Sequence, residues 1–406
     1  MHTEPESKYN TWESNEDIQM FREYLRIPSV HPDVNYDECV EFLRRTAAHL
    51  DLPVAVLEIH PRKPIVIITW EGTEASLPSI VLNSHMDVVP VYADKWTYPP
   101  FSAHMDPEGR IYARGSQDMK CVGAQFLASI RALKNQGIRL KRTLHVLFVP
   151  DEEIGGTLGM KAFVGTEQFG KLNCGFAIDE AVASPDDTFM LFFGEKTRIV
   201  VNFIIPGTSG HGSLLLQETA GEKARKLIDR MMDYRNSQQE RLDNDQELTV
   251  GDVTTVNLTM MSGGVQNNVI PPEFKISFDI RVAHDTSIDA FEAQLQKWCE
   301  ESGGDIHIDY EQKDSLIELT KLDETNHFWM AFKAAVNEMG IAIRTHVCPG
   351  ATDARFLREL GIPAVGFSPM NNTPTLLHDH DEFLHAETFL RGIEIYKKLI
   401  TAVANA

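Results

Sequence analysis

What most limits the folds open to this 406-residue chain is where its histidines and acids fall. His85-Met86-Asp87, Asp118, Asp151-Glu152-Glu153, Asp179-Glu180 and His378 are widely scattered, each just past a short apolar run. Charges on one helix face or in a solvated run lie close together in sequence, so local pressure does not produce this scatter. A fold that gathers many strand ends at one edge does.

The apolar runs describe such a fold. Segments rich in β-branched residues at 65–69, 79–82, 143–149 and 175–178 alternate with helix-like stretches, notably 119–134, where Val122, Phe126, Ile130 and Leu133 recur at helical spacing. This alternation predicts an α/β domain, a sheet flanked by helices. After Phe193 the texture changes. Strands are predicted at 197–205, 253–261, 274–282 and 306–310, with helices at 218–235 and 288–301, a two-layer α+β unit inserted in the larger domain. Helical spacing resumes at 329–339 and a buried strand follows at 363–367. The expected boundaries are therefore 1–194 with 311–406 for a discontinuous α/β domain and 195–310 for the insertion. Two domains also suit the length, which exceeds what one core usually supports.

A formal charge of -21 argues against nucleic acid or an anionic membrane as partner. The first thirty residues hold no apolar stretch long enough for a signal peptide, and no run approaches a membrane span. Cys39, Cys121, Cys174, Cys299 and Cys348 are scattered without a C-x-x-C pair. They read as reduced thiols, which places the chain in the cytoplasm.

In an open α/β sheet, residues just past the carboxyl ends of the strands meet in one crevice. His85 follows SIVLNS, Glu152 and Glu153 follow the run 143–149, and Glu180 follows CGFAID, so these converge. Asp118 opens a predicted helix, where it is either an N-cap or a further ligand. The triplet Asp151-Glu152-Glu153 repels itself unless cations neutralise it. A solvated turn is the other reading, but an apolar strand on one side and Gly155-Gly156 on the other favour a site that backbone can approach closely. Carboxylates with imidazoles suit Zn²⁺, which in catalytic sites leaves a position open. Two such ions can share a carboxylate at a spacing of about 3.5 to 4 Å. A pair of that kind needs ligands plus one unligated base, and the scattered residues suffice.

The motifs SHMDVVP at 84–90, ARGSQDMK at 113–120, PDEEIGG at 150–156, DEA at 179–181, GFSPMNNTP at 366–374 and LLHDHDEFLH at 376–385 run in one order over nearly the whole chain. In them the chain resembles the M20 metallopeptidase family, and within it the branch that hydrolyses N-acyl-L-amino acids. The resemblance implies two zinc ions per subunit bridged by Asp118, with His85 and Glu180 completing one site and Glu153 and His378 the other. It makes Glu152 the general base and Asp87 an acceptor that orients the His85 imidazole. His380 and His385 compete with His378, and sequence alone does not choose among them; the H-x-x-x-E spacing from His378 to Glu382 matches the family's, so the resemblance favours His378. Asp179 competes with Glu180 for the metal. Cys121 departs from the pattern, since many members carry Gly after the DMK.

The insertion carries GTSGHGS at 207–213, similar to the family's lid motif, whose histidine reaches into the partner subunit's active site. That implies a homodimer in which His211 stabilises the oxyanion. By the same analogy Asn268, in GGVQNN, and Arg281, in KISFDIRV, clamp a substrate carboxylate, a group that guanidinium holds at two points. An ion pair on the strand surface is the competing reading of Arg281. The expected activity is hydrolysis of N-acyl-L-amino acids to a carboxylate and a free L-amino acid. An M20 dipeptidase or carboxypeptidase is the rival enzyme, and a zinc-bound scaffold without activity the rival class. No G-x-S-x-G elbow or H-E-x-x-H helix points to other hydrolase chemistry.

Overall fold

Ser79–His85 is buried at every position, and so is Leu144–Val149. The reason is their place in the middle of an eight-stranded sheet with helices on both faces. The computed structural model describes residues 4–406; residues 1–3, the start of the segment read above as lacking a signal peptide, lie outside the described residues. The sheet runs in the order Val54–His60, Lys63–Trp70, Leu144–Val149, Ser79–His85, Cys174–Asp179, Ala364–Phe367, Phe189–Glu195, Ile343–Cys348. Leu144–Val149 and Cys174–Asp179 flank Ser79–His85 in parallel, and Ala364–Phe367 continues parallel to Cys174–Asp179. Lys63–Trp70 joins antiparallel on the outer side, so the sheet is mixed.

Alternate residues feed two cores. Ile80 and Leu82 face one core with the helices Glu16–Leu25, Asp37–His49, Lys120–Asn135, His327–Met339 and Ala386–Ala404, whereas Val81 faces the other with Met160, Phe163 and Leu357. The helix Lys120–Asn135 buries Val122, Phe126, Ile130 and Leu133, the residues whose spacing predicted it. It lies against the sheet at Gly123, where an added Cβ would come within 2.7 Å of Phe148 and Ser84. No described helix is long and apolar enough to cross a membrane.

Contacts divide the chain into two units. The larger holds the described residues up to Phe193 together with Glu318–Thr345 and Thr352–Ala406; the smaller is Gly194–Ile317 with His346–Ala351. The smaller unit is an antiparallel sheet in the order Thr255–Gly263, Glu273–Val282, Thr197–Pro206, His307–Lys313. Ile199, Val201, Phe203, Ile276, Phe278 and Ile280 pack under the helices Ala220–Asn244 and Ile288–Glu301 through Leu227, Met231, Phe291 and Leu295. Thr219 and Glu222 close the first of these helices with a reciprocal capping box. Thr255–Gly263 is one of the sheet's two edge strands, exposed from Asn257 onwards.

Candidate metal centre

Parallel neighbours put their carboxyl ends side by side. His85 ends its strand opposite Val149, the acidic triplet follows Val149 directly, and Glu180 follows Asp179 at the end of the next strand. His85 is buried, and its Nδ1 lies 2.9 Å from the carbonyl oxygen of Asp87. A carbonyl can only accept, so Nδ1 carries the proton. In the neutral ring the Nε2 lone pair then points outward. There it meets Asp118 Oδ1 at 3.0 Å, Glu180 Oε1 at 3.4 Å and Glu152 Oε2 at 4.0 Å.

Asp118 divides its carboxylate between two histidines: Oδ2 lies 3.2 Å from His378 Nε2. It does not cap the helix. The helix starts at Lys120 after Met119, and no side chain caps it. What holds Asp118 is Glu382, fully buried, whose carboxylate accepts the backbone N–H of Gln117 at 2.6 Å, of Gly115 at 3.2 Å and of Asp118 at 3.4 Å. Arg114 donates to the same carboxylate at 2.6 Å. His378, half exposed and in the left-handed region at φ 63, reaches Glu153 Oε2 at 3.0 Å. The other two histidines of its motif are engaged elsewhere: His385 Nδ1 accepts the Glu387 N–H as cap of the last helix, and the His380 ring meets Tyr92.

Of the paired acids, Glu180 faces His85, while Asp179 Oδ1 accepts from the Glu180 N–H at 2.9 Å and from Asn83 Nδ2 at 3.2 Å. Asp87 orients His85 through its carbonyl; its carboxylate is 3.7 Å from Nδ1 and serves the acidic turn instead. That carboxylate, fully buried, accepts the N–H of Glu152 at 3.2 Å and of Glu153 at 3.0 Å and pairs with His31 Nε2 at 2.8 Å. Neither His31 nor the anchoring role of Glu382 was read from the sequence. The H-x-x-x-E spacing from His378 was the one available signal for Glu382; His31 offered none.

The electrostatics call for cations. Burial, reinforced by neighbouring carboxylates, pushes Glu152 and Glu180 well above the usual carboxylate range and raises Glu153. Burial also opposes charge on Asp118, yet the His378 and His85 imidazoles hold it below that range. Hydrogen bonds to Asp118 and Glu153 push His378 up to about 10. Four largely buried carboxylates thus crowd the buried His85 and the half-exposed His378, and Glu153 Oε1 is buried with no hydrogen-bond partner among the described residues. Potential ligand atoms of His85, Glu152 and Glu180, and of His85, Asp118 and Glu153, lie within 4.8 Å of one another. Nitrogen and carboxylate donors of this kind fit Zn²⁺. Cys121 adds no ligand: it is buried, and its thiol donates to the Gln117 carbonyl at 3.3 Å.

The remaining predicted residues belong to the smaller unit. His211 lies on the short strand Gly210–His211, opposite Val269, and Gly212 N–H donates to the Asn268 carbonyl at 2.8 Å, which brings His211 and Asn268 together. His211 is exposed, and its Nδ1 contacts Ser213 Oγ at 2.8 Å. Arg281 Nε donates to Asp279 Oδ1 at 2.8 Å, the strand-surface pair weighed against a substrate clamp. Arg198 shares Asp279 at 3.3 Å.

Residues 81–402 match the profile of peptidase family M20/M25/M40. Aminoacylase-1 of Mus musculus is 45% identical over 99% of this chain and 97% of its own length. The human aminoacylase-1 is 44% identical over 97% and 96%, and that of Dictyostelium discoideum 43% over 98% and 99%. Among solved structures, an M20 family metallo-carboxypeptidase from Sulfolobus solfataricus superposes with TM-score 0.73 at 18% identity, covering 96% of this chain and 99% of that one. A tripeptidase from Staphylococcus aureus gives 0.72 at 21% identity over 96% and 98%. At such identities these two carry the fold alone.

Proposed function

The chain belongs to peptidase family M20/M25/M40, and from that membership we propose that it is an N-acyl-L-amino-acid amidohydrolase, cleaving its substrate to a carboxylate and a free L-amino acid. One observation carries the reading: similarity to aminoacylase-1 proteins runs nearly end to end, in a chain whose own histidines and carboxylates gather around Asp118.

His85, Asp118 and Glu180 would hold one zinc ion, and Asp118, Glu153 and His378 a second. When bound, the pair supplies Lewis acidity and a lowered pKa for water. Glu152 lies farther from His85 than Asp118 or Glu180 does, and it is the base. Its carboxylate takes the proton of the attacking water and returns it to the departing amine. Asp87 fixes the base by holding the backbone of residues 152 and 153.

His211 comes from a second subunit and donates to the developing oxyanion. Asn268, beside it, and Arg281, on turning from Asp279, bind the substrate carboxylate. The homodimer this needs is supported by the edge strand Thr255–Gly263, where Met260 is 68% and Met261 56% exposed, and by Leu214, Leu215 and Val265, exposed on the loops next to His211. Unpaired edges and apolar patches of this sort invite a second copy. The smaller unit is thus the lid and dimerisation domain. We place the enzyme in the cytoplasm, on the reading of its five free cysteines as reduced thiols.

The rival reading, a dipeptidase or carboxypeptidase, draws on the superposed peptidases, whose fold the chain shares. Kinetics on matched N-acetyl amino acids and dipeptides, with zinc counted in the same preparation, separate the two. A higher kcat/KM for the acetylated compounds is expected, with two zinc ions per chain; preference for dipeptides would hand the assignment to the rival.

A further inference from the structure

Three consecutive carboxylates emerge from the strand Leu144–Val149, but the mechanism above uses only Glu152 and Glu153. Asp151 is buried and its backbone is left-handed at φ 65, a conformation that costs a non-glycine residue free energy. Its side chain turns away from the metal centre to two residues with no assigned role. Lys63 Nζ sits 2.7 Å from Oδ1 and 2.6 Å from Oδ2. The Tyr36 hydroxyl donates to Oδ1 at 2.8 Å and accepts the Asp151 N–H at 3.0 Å. Lys63 also lies over the Tyr36 ring, 5.6 Å from its centre.

Strand register delivers the lysine. Lys63–Trp70 runs antiparallel to Leu144–Val149 with Val66 opposite Phe148, which carries Lys63 to the level of Asp151. Tyr36 arrives from the start of the helix Asp37–His49. The acidic turn is therefore gripped twice, by Asp87 on the amides of residues 152 and 153, and by Lys63 with Tyr36 on residue 151.

We propose that Lys63, with Tyr36, is a positioning residue for catalysis: it neutralises Asp151 and locks the turn so that Glu152 points at the reacting water while Glu153 is left for metal. This explains why a run of three acids is tolerated at a strand end. One is neutralised from within the protein, leaving two carboxylates for the chemistry. The proposal rests on the aminoacylase reading for its activity assay only.

The test compares Lys63→Met, Lys63→Arg and Tyr36→Phe with the unmodified zinc enzyme on N-acetyl-methionine, and records the visible spectrum of the cobalt-substituted proteins. Lys63→Met is expected to lose about 10- to 100-fold in kcat, with KM changed less than about threefold and zinc content unaltered. Its cobalt bands should shift as Glu153 moves. Lys63→Arg keeps the charge and restores most of kcat, and Tyr36→Phe falls between. A Lys63→Met enzyme with unchanged kcat overturns the proposal. So does loss of kcat and zinc together that Lys63→Arg fails to rescue, since that is local unfolding. If the unmodified chain does not hydrolyse N-acetyl-methionine, the functional reading fails by itself, and the cobalt spectra alone decide the clamp: identical bands in Lys63→Met and the parent sink it.

Discussion

Asp118 and His211 are both assigned to the same reaction, yet the chain treats them in opposite ways. Asp118 sits in a loop whose backbone N–H groups are collected by one buried carboxylate, itself paired with a buried arginine. His211 is exposed on a strand of two residues, and its ring contacts a neighbouring serine. The difference follows from what each must do. Like charges have to be held together against their own repulsion, so the metal centre requires a rigid surround before any ligand arrives. A donor supplied by another subunit, as proposed for His211, would be positioned by the interface and would need little support from its own chain.

Variants can break this comparison. The largest effect should come from Glu152→Gln, which keeps the shape of the turn and removes the base. We expect kcat on N-acetyl-methionine to drop about 10²- to 10⁴-fold while zinc, counted by atomic emission, stays bound. Retained turnover would remove Glu152 from its role. His211→Ala comes next, with a loss of about 10²- to 10³-fold in kcat. Here the contrast between the two regions becomes testable. Co-expressing a His211→Ala chain with a Glu152→Gln chain makes heterodimers that contain one intact composite site, so about a quarter of the parental activity should return. Confirmed heterodimers with no recovery would mean that His211 does not act across the interface.

Glu382→Gln touches the rigid region without touching the substrate. Weakening its grip on the loop of residues 115–118 should lower zinc affinity about 10- to 100-fold in a chelator competition, with little change in kcat at saturating zinc. An unchanged affinity would show that Asp118 holds its place unaided. The smallest effect concerns stability. His145 is buried on the central sheet, and burial pulls its pKa from 6.5 down to about 4. The folded state therefore binds this proton less readily than the unfolded state does, and the contribution present above pH 6.5 is lost as pH falls towards 4. Between pH 7 and pH 5 that amounts to about 2 kcal/mol, measurable as the difference in urea unfolding between the parent and His145→Asn. Parallel pH slopes for the two proteins would exclude His145 as the source.

How much of this was legible in the sequence depends on burial. The strands around Ser79–His85 announced themselves because both faces are covered and the run is continuously apolar. Val54–His60, Phe189–Glu195 and Ile343–Cys348, at or towards the sheet's edges, were not read as strands: the first has no buried position and the last is buried only at Val347 and Cys348. Periodicity also cut the helix of the smaller unit short at residue 235, whereas it continues to Asn244; no position after Met231 is buried, so no apolar repeat marks the extension. Within the site, residue types and motif order located the donors. The division of Asp118 between two imidazoles, the capture of Asp179 by Asn83, and the pairing of Arg281 with Asp279 depend on where side chains point, which neither spacing nor composition encodes.

The grip of Glu382 on the loop ahead of the helix Lys120–Asn135 has a consequence in time. Asp118 and Glu382 are 264 residues apart, so on a ribosome adding about 5 to 20 residues per second the loop waits roughly 10 to 50 s for its anchor to be made. His378 arrives just before that anchor, in the last stretch of the chain. From residue 180 onwards the nascent protein carries four acids of its candidate metal centre with neither the second histidine nor the carboxylate that holds the loop of Asp118. Completion of the proposed two-metal site would thereby be deferred to the end of synthesis, and a chain cut short before residue 378 would keep the acids without the second histidine.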